Sequence, residues 1–342
     1  METSDLLLRL SAANGPSGHE DGARELIRTE LEKYCSEVRS DAMGNLIATR
    51  RCGRENAKTI MLDAHMDEIG LIVTGYQDGY LRFGTLGGVD PRMLPASEVT
   101  VLTGEPIFGV VDVMPPHALS AEDMDKPLPA DKLYIDVGMT QEMVEKAVPL
   151  GTPVVYRSPA QLLGEGSVCG KALDDRACCA IIIKTLEALE GAELDFDICC
   201  LISTQEELGC RGAIPGAFGI APDYAIALDV THGQTPDAPK HETLEVDKGA
   251  AIGVGPNCSR ALTEAIIETA KAEKLDYQLE VLPGHSGTDA WPIQVSRSGV
   301  ATALISLPLK YMHTPIEVVR TADADCIISL LTAFLKRAGE VL

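Results

Sequence analysis

Ile198-Cys199-Cys200-Leu201-Ile202-Ser203-Thr204-Gln205-Glu206-Glu207-Leu208-Gly209 runs from an unbroken apolar stretch into two adjacent carboxylates. A strand buried on both faces reads as continuous hydrophobics. In open α/β sheets, ligands sit beyond the carboxyl ends of such strands. Two anionic side chains placed there repel each other unless a cation or a proton separates them. The doublet therefore looks like one metal ligand beside one general base, although Glu-Glu taken alone is more often a solvated helix end. The other strand ends decide between the two.

Each of them delivers a metal-binding side chain. Thr59-Ile60-Met61-Leu62-Asp63-Ala64-His65 ends in His65, with Asp67 two residues on. Tyr224-Ala225-Ile226-Ala227-Leu228-Asp229 ends in Asp229, and a β-rich run over 300–305 is followed, after Pro308, by Tyr311-Met312-His313. Lys171-Ala172-Leu173-Asp174-Asp175-Arg176 opens a helical pattern of Ala177, Ala180, Ile181, Ile183 and Leu186. Hard or borderline divalent cations take such a mixed nitrogen and oxygen set without any thiolate. The candidates are spread from residue 65 to residue 313, so only a folded sheet gathers them, the pattern of a site built on a rigid scaffold.

In this order, and over nearly the whole chain, these segments resemble the tetrahedral aminopeptidases. That family includes glutamyl and deblocking aminopeptidases and some members labelled endoglucanase. The motifs that carry the likeness are Asp63-Ala64-His65-Met66-Asp67-Glu68-Ile69-Gly70, Lys171 to Arg176 as quoted, and Gln205 to Gly209 with Arg211-Gly212-Ala213. Ala227-Leu228-Asp229-Val230-Thr231-His232 and Tyr311-Met312-His313-Thr314-Pro315-Ile316-Glu317 complete them. The resemblance implies an aminopeptidase with two divalent ions per subunit, zinc or cobalt, acting on peptide substrates. His65 and Asp229 would hold one ion, Glu207 and His313 the other, and Asp174 would bridge them. By residue type Asp175 fits the bridge as well; the family pattern favours Asp174. Glu206 would be the general acid/base. Asp67 would orient the His65 imidazole, since ligating histidines usually donate their second N–H to a carboxylate.

The chemistry follows from those residue types. Two cations about 3.5–4 Å apart clamp a hydroxide and polarise a carbonyl, and coordination brings the pKa of water from 15.7 towards roughly 7. Glu206 would take the proton of the water and pass it to the leaving amine. Gly284-His285-Ser286-Gly287-Thr288-Asp289-Ala290, with Thr288 and Asp289, lies by resemblance beside the pocket for the first side chain of the substrate. Lys310 or Arg260 could place a cation there and select acidic residues. Lone lysines are mostly surface groups, so the expectation is a broad preference for neutral or apolar first residues, with acidic selectivity as the alternative.

The wider sequence predicts an α/β fold, a mostly parallel sheet sandwiched by helices in the zinc-exopeptidase manner, with an inserted small β-barrel. Residues 1–66 plus 165–342 alternate apolar strands with helical patterns, among them Ala23, Leu26, Ile27, Leu31 and Tyr34, a helix from Arg260 to Lys274 and a last one from Asp323 to Lys336. Residues 67–164 carry short strands split by Gly, Pro and Asp. By resemblance this insert mediates dimers, and dimers build a tetrahedral dodecamer. Residues 117–131 read as a mobile loop. The 342-residue chain has 29 basic and 51 acidic residues, a net charge of −22, which argues against nucleic acid or an anionic membrane as partner. No apolar run reaches the ~18 residues of a membrane span, nor does the N-terminus look like a signal peptide, which predicts a reduced cytoplasmic setting. The ten cysteines, with Cys178-Cys179 and Cys199-Cys200 in apolar elements and no CxxC pair, read as packing residues. An endoglucanase-type glycoside hydrolase and a non-catalytic assembly protein are the competing readings. Sugar binding favours aromatic platforms and separated carboxylates, whereas aromatic residues are 4% of this chain with one Trp. A purely structural scaffold would have no need of Glu206.

Overall fold

In the computed structural model, residues 1–115, 117 and 128–341 are described; most of the 117–131 stretch, read above as a mobile loop, lies outside them. The four strands that carry the sequence motifs lie side by side and parallel, in the order Asp197–Ser203, Thr59–His65, Tyr224–His232 and Ala301–Lys310. Their register pairs Ser203 with His65, Ala227 with Asp63, and Asp229 with Ser306. The carboxyl ends consequently emerge along one rim. All seven residues of Asp197–Ser203 are buried, because helices cover both faces.

Alternation along these strands separates two cores. Ile198, Cys200 and Ile202 pack in one cluster with residues of helices Thr3–Ala12, Leu173–Ala188 and Thr321–Val341. Cys199 and Leu201 pack in another with Ala213 and Ala217 of helix Ala213–Ile220 and with Ala290 and Ile293 of Ala290–Gln294. Among the described residues the sheet is mixed and has eleven strands: its parallel centre is flanked by antiparallel strands such as Leu46–Arg50 and Glu317–Arg320. The Ala301–Lys310 strand runs on through Pro308, where the sequence suggested an end. Pro308 falls between the residues that pair with Ala250–Val254 (Ile305, Ser306) and those that pair with Glu317–Arg320 (Leu309, Lys310). No ladder donor is needed on that side.

Six strands between residues 70 and 156 close into an antiparallel barrel around Leu71, Val73, Leu81, Phe83, Val99 and Val101. Two of its elements left no sequence signal that we read: strand Ile135–Asp136, two residues long, and the short helix Gln141–Ala147.

A buried ionic knot ties the rim to the helices. The fully buried Arg176 guanidinium donates to the carbonyls of Leu10, Gly15 and Met66 and to Glu68 at 3.0 Å. Lys171 Nζ also donates to Glu68, at 2.7 Å, and burial pushes the lysine down to about 8. Charges at such depth persist only when paired and hydrogen-bonded. The knot fixes the turn after His65 against the start of the helix that bears Asp174. Among the described residues no helix is long and apolar enough to cross a membrane.

Candidate active site

The rim gathers His65, Asp174, Glu206, Glu207, Asp229 and His313 around one cleft of about 560 Å³. Asp174 stands at the centre: its Oδ1 lies 3.1 Å from His65 Nε2 and its Oδ2 3.3 Å from His313 Nε2. Glu207 Oε2 is 3.4 Å from His313 Nε2, and Glu206 Oε2 is 3.9 Å from His65 Nε2. Ligand atoms of His65, Asp174 and Glu207 lie within 4.8 Å of one another, as do those of His65, Asp175 and Asp229. Asp175 is fully buried, and its Oδ2 accepts the backbone N–H of His65 at 3.2 Å. It does not line the cleft, whereas Asp174 does.

Local backbone geometry aims these groups. Ala172, Gln205 and His313 all have left-handed backbone, at φ of 56°, 54° and 59°. Such conformations are sparse for residues with a Cβ and cluster where surroundings over-determine them. Glu317 supplies part of that constraint: its carboxylate accepts the backbone N–H of Asp174 at 3.1 Å and of His313 at 3.0 Å. Asp67 does the same for the glutamate turn, accepting from Glu206 N at 2.9 Å, Glu207 N at 3.3 Å and the Ser17 hydroxyl at 2.6 Å. His65 Nδ1 lies 3.2 Å from the Asp67 carbonyl and 3.5 Å from its carboxylate. Asp67 therefore faces both the imidazole and the Glu206 turn.

The barrel also reaches the site. His313 Nδ1 lies 3.2 Å from the carbonyl of Gly88, which follows strand Tyr80–Leu86. That carbonyl accepts from Nδ1–H and turns Nε2 towards Asp174 and Glu207. Neither Gly88 nor Glu317 was singled out from the sequence. The contact to Gly88 is made through backbone, while Glu317 closes a motif whose polar positions pointed only to His313.

Charge in the cluster is one-sided. Among the described residues no Lys or Arg pairs with Asp174, Glu206, Glu207 or Asp229, and Asp175 Oδ1 and both Asp63 oxygens have no hydrogen-bond donor. Burial raises Glu206 to about 7 and Glu207 to about 8, and pushes Asp229 well above the usual carboxylate range. Burial acts on Asp174 in the same direction, but hydrogen bonds from His313 and His65 outweigh it and hold this carboxyl low. His313 is raised to about 9, first by Asp174. Divalent cations would supply the counter-charge that this donor set lacks, and the set of imidazoles and carboxylates suits them.

Cys210 does more than pack, since its thiol donates to Glu206 Oε1 at 3.2 Å. Thr288 lines the cleft, and Asp289 lies buried behind it, accepting from the Ser203 hydroxyl at 2.5 Å. Lys310 does not line the cleft, and Arg260 is exposed and paired with Glu264 at 2.7 Å.

Solved structures with this fold include aminopeptidases and a protein named endoglucanase from Thermotoga maritima. The latter aligns over 98% of this chain and 99% of its own at 28% identity and a TM-score of 0.79. The structure of the aminopeptidase from the archaeon Desulfurococcus kamchatkensis aligns with 98% of this chain and 94% of its own, at 33% identity and a TM-score of 0.91. The TET1 peptidase of Pyrococcus horikoshii, described as assembling into a tetrahedron or a large octahedral shell, aligns over 98% and 99% at 30% identity and a TM-score of 0.86. A lysyl aminopeptidase of Pyrococcus furiosus is 36% identical over 339 residues, 97% of this chain and 96% of the relative. The model of the M42 glutamyl aminopeptidase family matches residues 44–330, and the chain belongs to that family. It is an aminopeptidase, a peptide hydrolase.

Proposed function

We infer that the chain removes amino-terminal residues from short peptides by metal-dependent hydrolysis, with Glu206 as general acid/base. The observation that carries this reading is the position of Asp174, whose two carboxylate oxygens face the two imidazoles, His65 and His313, at 3.1 and 3.3 Å. A carboxylate so placed suits a bridge between two cations, one held with His65 and Asp229, the other with Glu207 and His313; zinc or cobalt fits these donors. Asp175, behind the cleft wall, suits a supporting role instead. Bound there, the metals would lower the pKa of a water and polarise the scissile carbonyl.

The remaining steps belong to the chain. Glu206 lines the cleft with its Oε2 3.9 Å from His65 Nε2, and the Cys210 thiol donates to its Oε1. From there Glu206 takes a proton from the attacking water and delivers it to the leaving nitrogen. The α-amino group of the peptide docks among the carboxylates of the site, which limits cleavage to the first bond. Asp67 positions the turn that bears both glutamates. Residues 67–164 form the inserted unit through which we expect copies to dimerise on the way to a dodecamer, while 1–66 plus 165–342 make the catalytic unit.

Glu206→Gln should keep both metals and lose kcat by about 10²–10⁴-fold, the usual worth of a proton shuttle. Glu207→Gln should bind fewer. Metal analysis beside steady-state rates checks this, and the roles are reversed if Glu206→Gln loses a metal while Glu207→Gln keeps both.

A further inference from the structure

Beside Glu206 lies a second donor cluster that the hydrolytic scheme leaves unused. One ligand atom each from Glu206, Cys210 and Asp289 lies within 4.8 Å of the others, and of the three such groups among the described residues it alone contains sulfur. Three stretches of chain converge to make it. Glu206 opens the turn after strand Asp197–Ser203. Cys210 follows four residues on, its backbone N–H donating to the Glu206 carbonyl at 2.8 Å and its φ of 54° left-handed. That conformation is sparse for a residue with a Cβ, and here it brings the thiol to 3.2 Å from Glu206 Oε1. Asp289 comes from the start of helix Ala290–Gln294.

Asp289 shows what the cluster lacks. It is 3% exposed, and while Oδ2 accepts from the Ser203 hydroxyl at 2.5 Å, Oδ1 has no hydrogen-bond donor. A buried carboxylate oxygen without a partner costs free energy. Among the described residues no Lys or Arg pairs with Asp289 or Glu206. A thiol placed only to steady Glu206 would be a poor choice, since S–H is a weak donor, and it would leave that oxygen unserved. As metal ligands the three groups belong together. Zinc takes thiolate and carboxylate at about 2.0–2.3 Å, which sets donors roughly 3.5 Å apart at tetrahedral angles; Cys210 Sγ and Glu206 Oε1 already stand at 3.2 Å. Glu206 and Cys210 line the cleft, so an ion reaches the cluster from solvent.

We propose that Glu206, Cys210 and Asp289 form a third divalent-cation site, distinct from the two imidazole and carboxylate positions, whose occupancy withdraws Glu206 from proton transfer. The incoming ion replaces the thiol proton, which leaves to solvent, so one metal–sulfur bond forms as one S–H bond breaks. A thiolate makes the site favour zinc, cobalt or cadmium over magnesium or calcium. Because a proton must be displaced, this ion binds last, and an excess of metal slows hydrolysis. That consequence rests on the reading of Glu206 as general acid/base; the site itself does not.

Cobalt is the probe, because thiolate-bound cobalt absorbs in the near ultraviolet by charge transfer from sulfur, and a position built from imidazole and carboxylate does not. Equilibrium dialysis of metal-free protein against rising cobalt should reach three ions per chain, with the sulfur band growing in with the last. Cys210→Ser should lose the band and one ion while keeping two. Asp289→Asn should weaken the band-forming ion by about tenfold or more. Excess cobalt should slow amino-acid release by wild type about tenfold relative to two equivalents, and that ratio should approach one in Cys210→Ser. Saturation at two ions, no sulfur band, or a band that survives in Cys210→Ser overturns the proposal. So does a rate that excess cobalt leaves unchanged in protein carrying the band. Cys210→Ala serves if Cys210→Ser does not fold, and wild-type stoichiometry and band decide without either. If no peptide is cleaved at two ions, the hydrolytic reading fails, while dialysis and the band still decide the third site.

Discussion

Glu206 and Glu207 share a turn, yet their surroundings separate them: Glu207 faces His313, and Glu206 faces His65 and Cys210. Both keep their protons unusually long because of burial, to about pH 7 and about pH 8, against an ordinary value of 4.5. In metal-free protein the native state therefore binds more protons than the unfolded state between those limits, and stability falls as pH rises. His313, raised to about 9 from 6.5, contributes stability that is complete below pH 6.5 and lost as pH rises through 9. Asp174 has the opposite sign, but its contribution is complete above about pH 4, near its ordinary value of 3.8. The melting temperature of chelator-treated protein should therefore decline from pH 5 to pH 9. Zinc should flatten or reverse the slope, because metal binding requires deprotonated ligands. A metal-free melting temperature that climbs between pH 5 and pH 8 contradicts the charge distribution described here.

The turn after strand Tyr80–Leu86 links barrel to sheet at the level of single elements. A Cβ on Gly88 would lie 2.6 Å from His313 Nδ1, closer than van der Waals contact permits. Gly88→Ala should displace the imidazole and cut kcat/KM at least tenfold, with the barrel still folded by circular dichroism; unchanged activity would show that the barrel does not brace His313. This contact marks the limit of what the sequence discloses. The strands ending at His65 and Ser203, and the one carrying Asp229, were legible because continuous apolar runs stop at metal-binding residue types. His313 was legible because it follows a β-rich run. The antiparallel flanks were not, since hydrophobic content does not encode strand direction. Gly88 acts through its carbonyl and its lack of a side chain, which no motif signals.

On the scale of the whole molecule, apolar side chains remain uncovered. Phe108 and Met143 on and beside the barrel are about half exposed, as are Ile214 and Phe218 on helix Ala213–Ile220. Exposed apolar surface of this kind marks association sites when it is contiguous. Closed symmetry is the usual outcome for a self-associating chain. Light scattering on metal-loaded protein at micromolar concentration should give a multimer, and a monomer there would contradict the dimerisation role inferred for 67–164. The net charge of −22 favours approach of cationic peptides at low salt. The central claim is metal-dependent hydrolysis from the amino terminus, and release of free amino acid from a short unblocked peptide measures it most directly. The account predicts stepwise release from the amino end, abolished by a chelator and restored by zinc or cobalt. Release that survives complete chelation, or internal cleavage with no free amino acid, would contradict it.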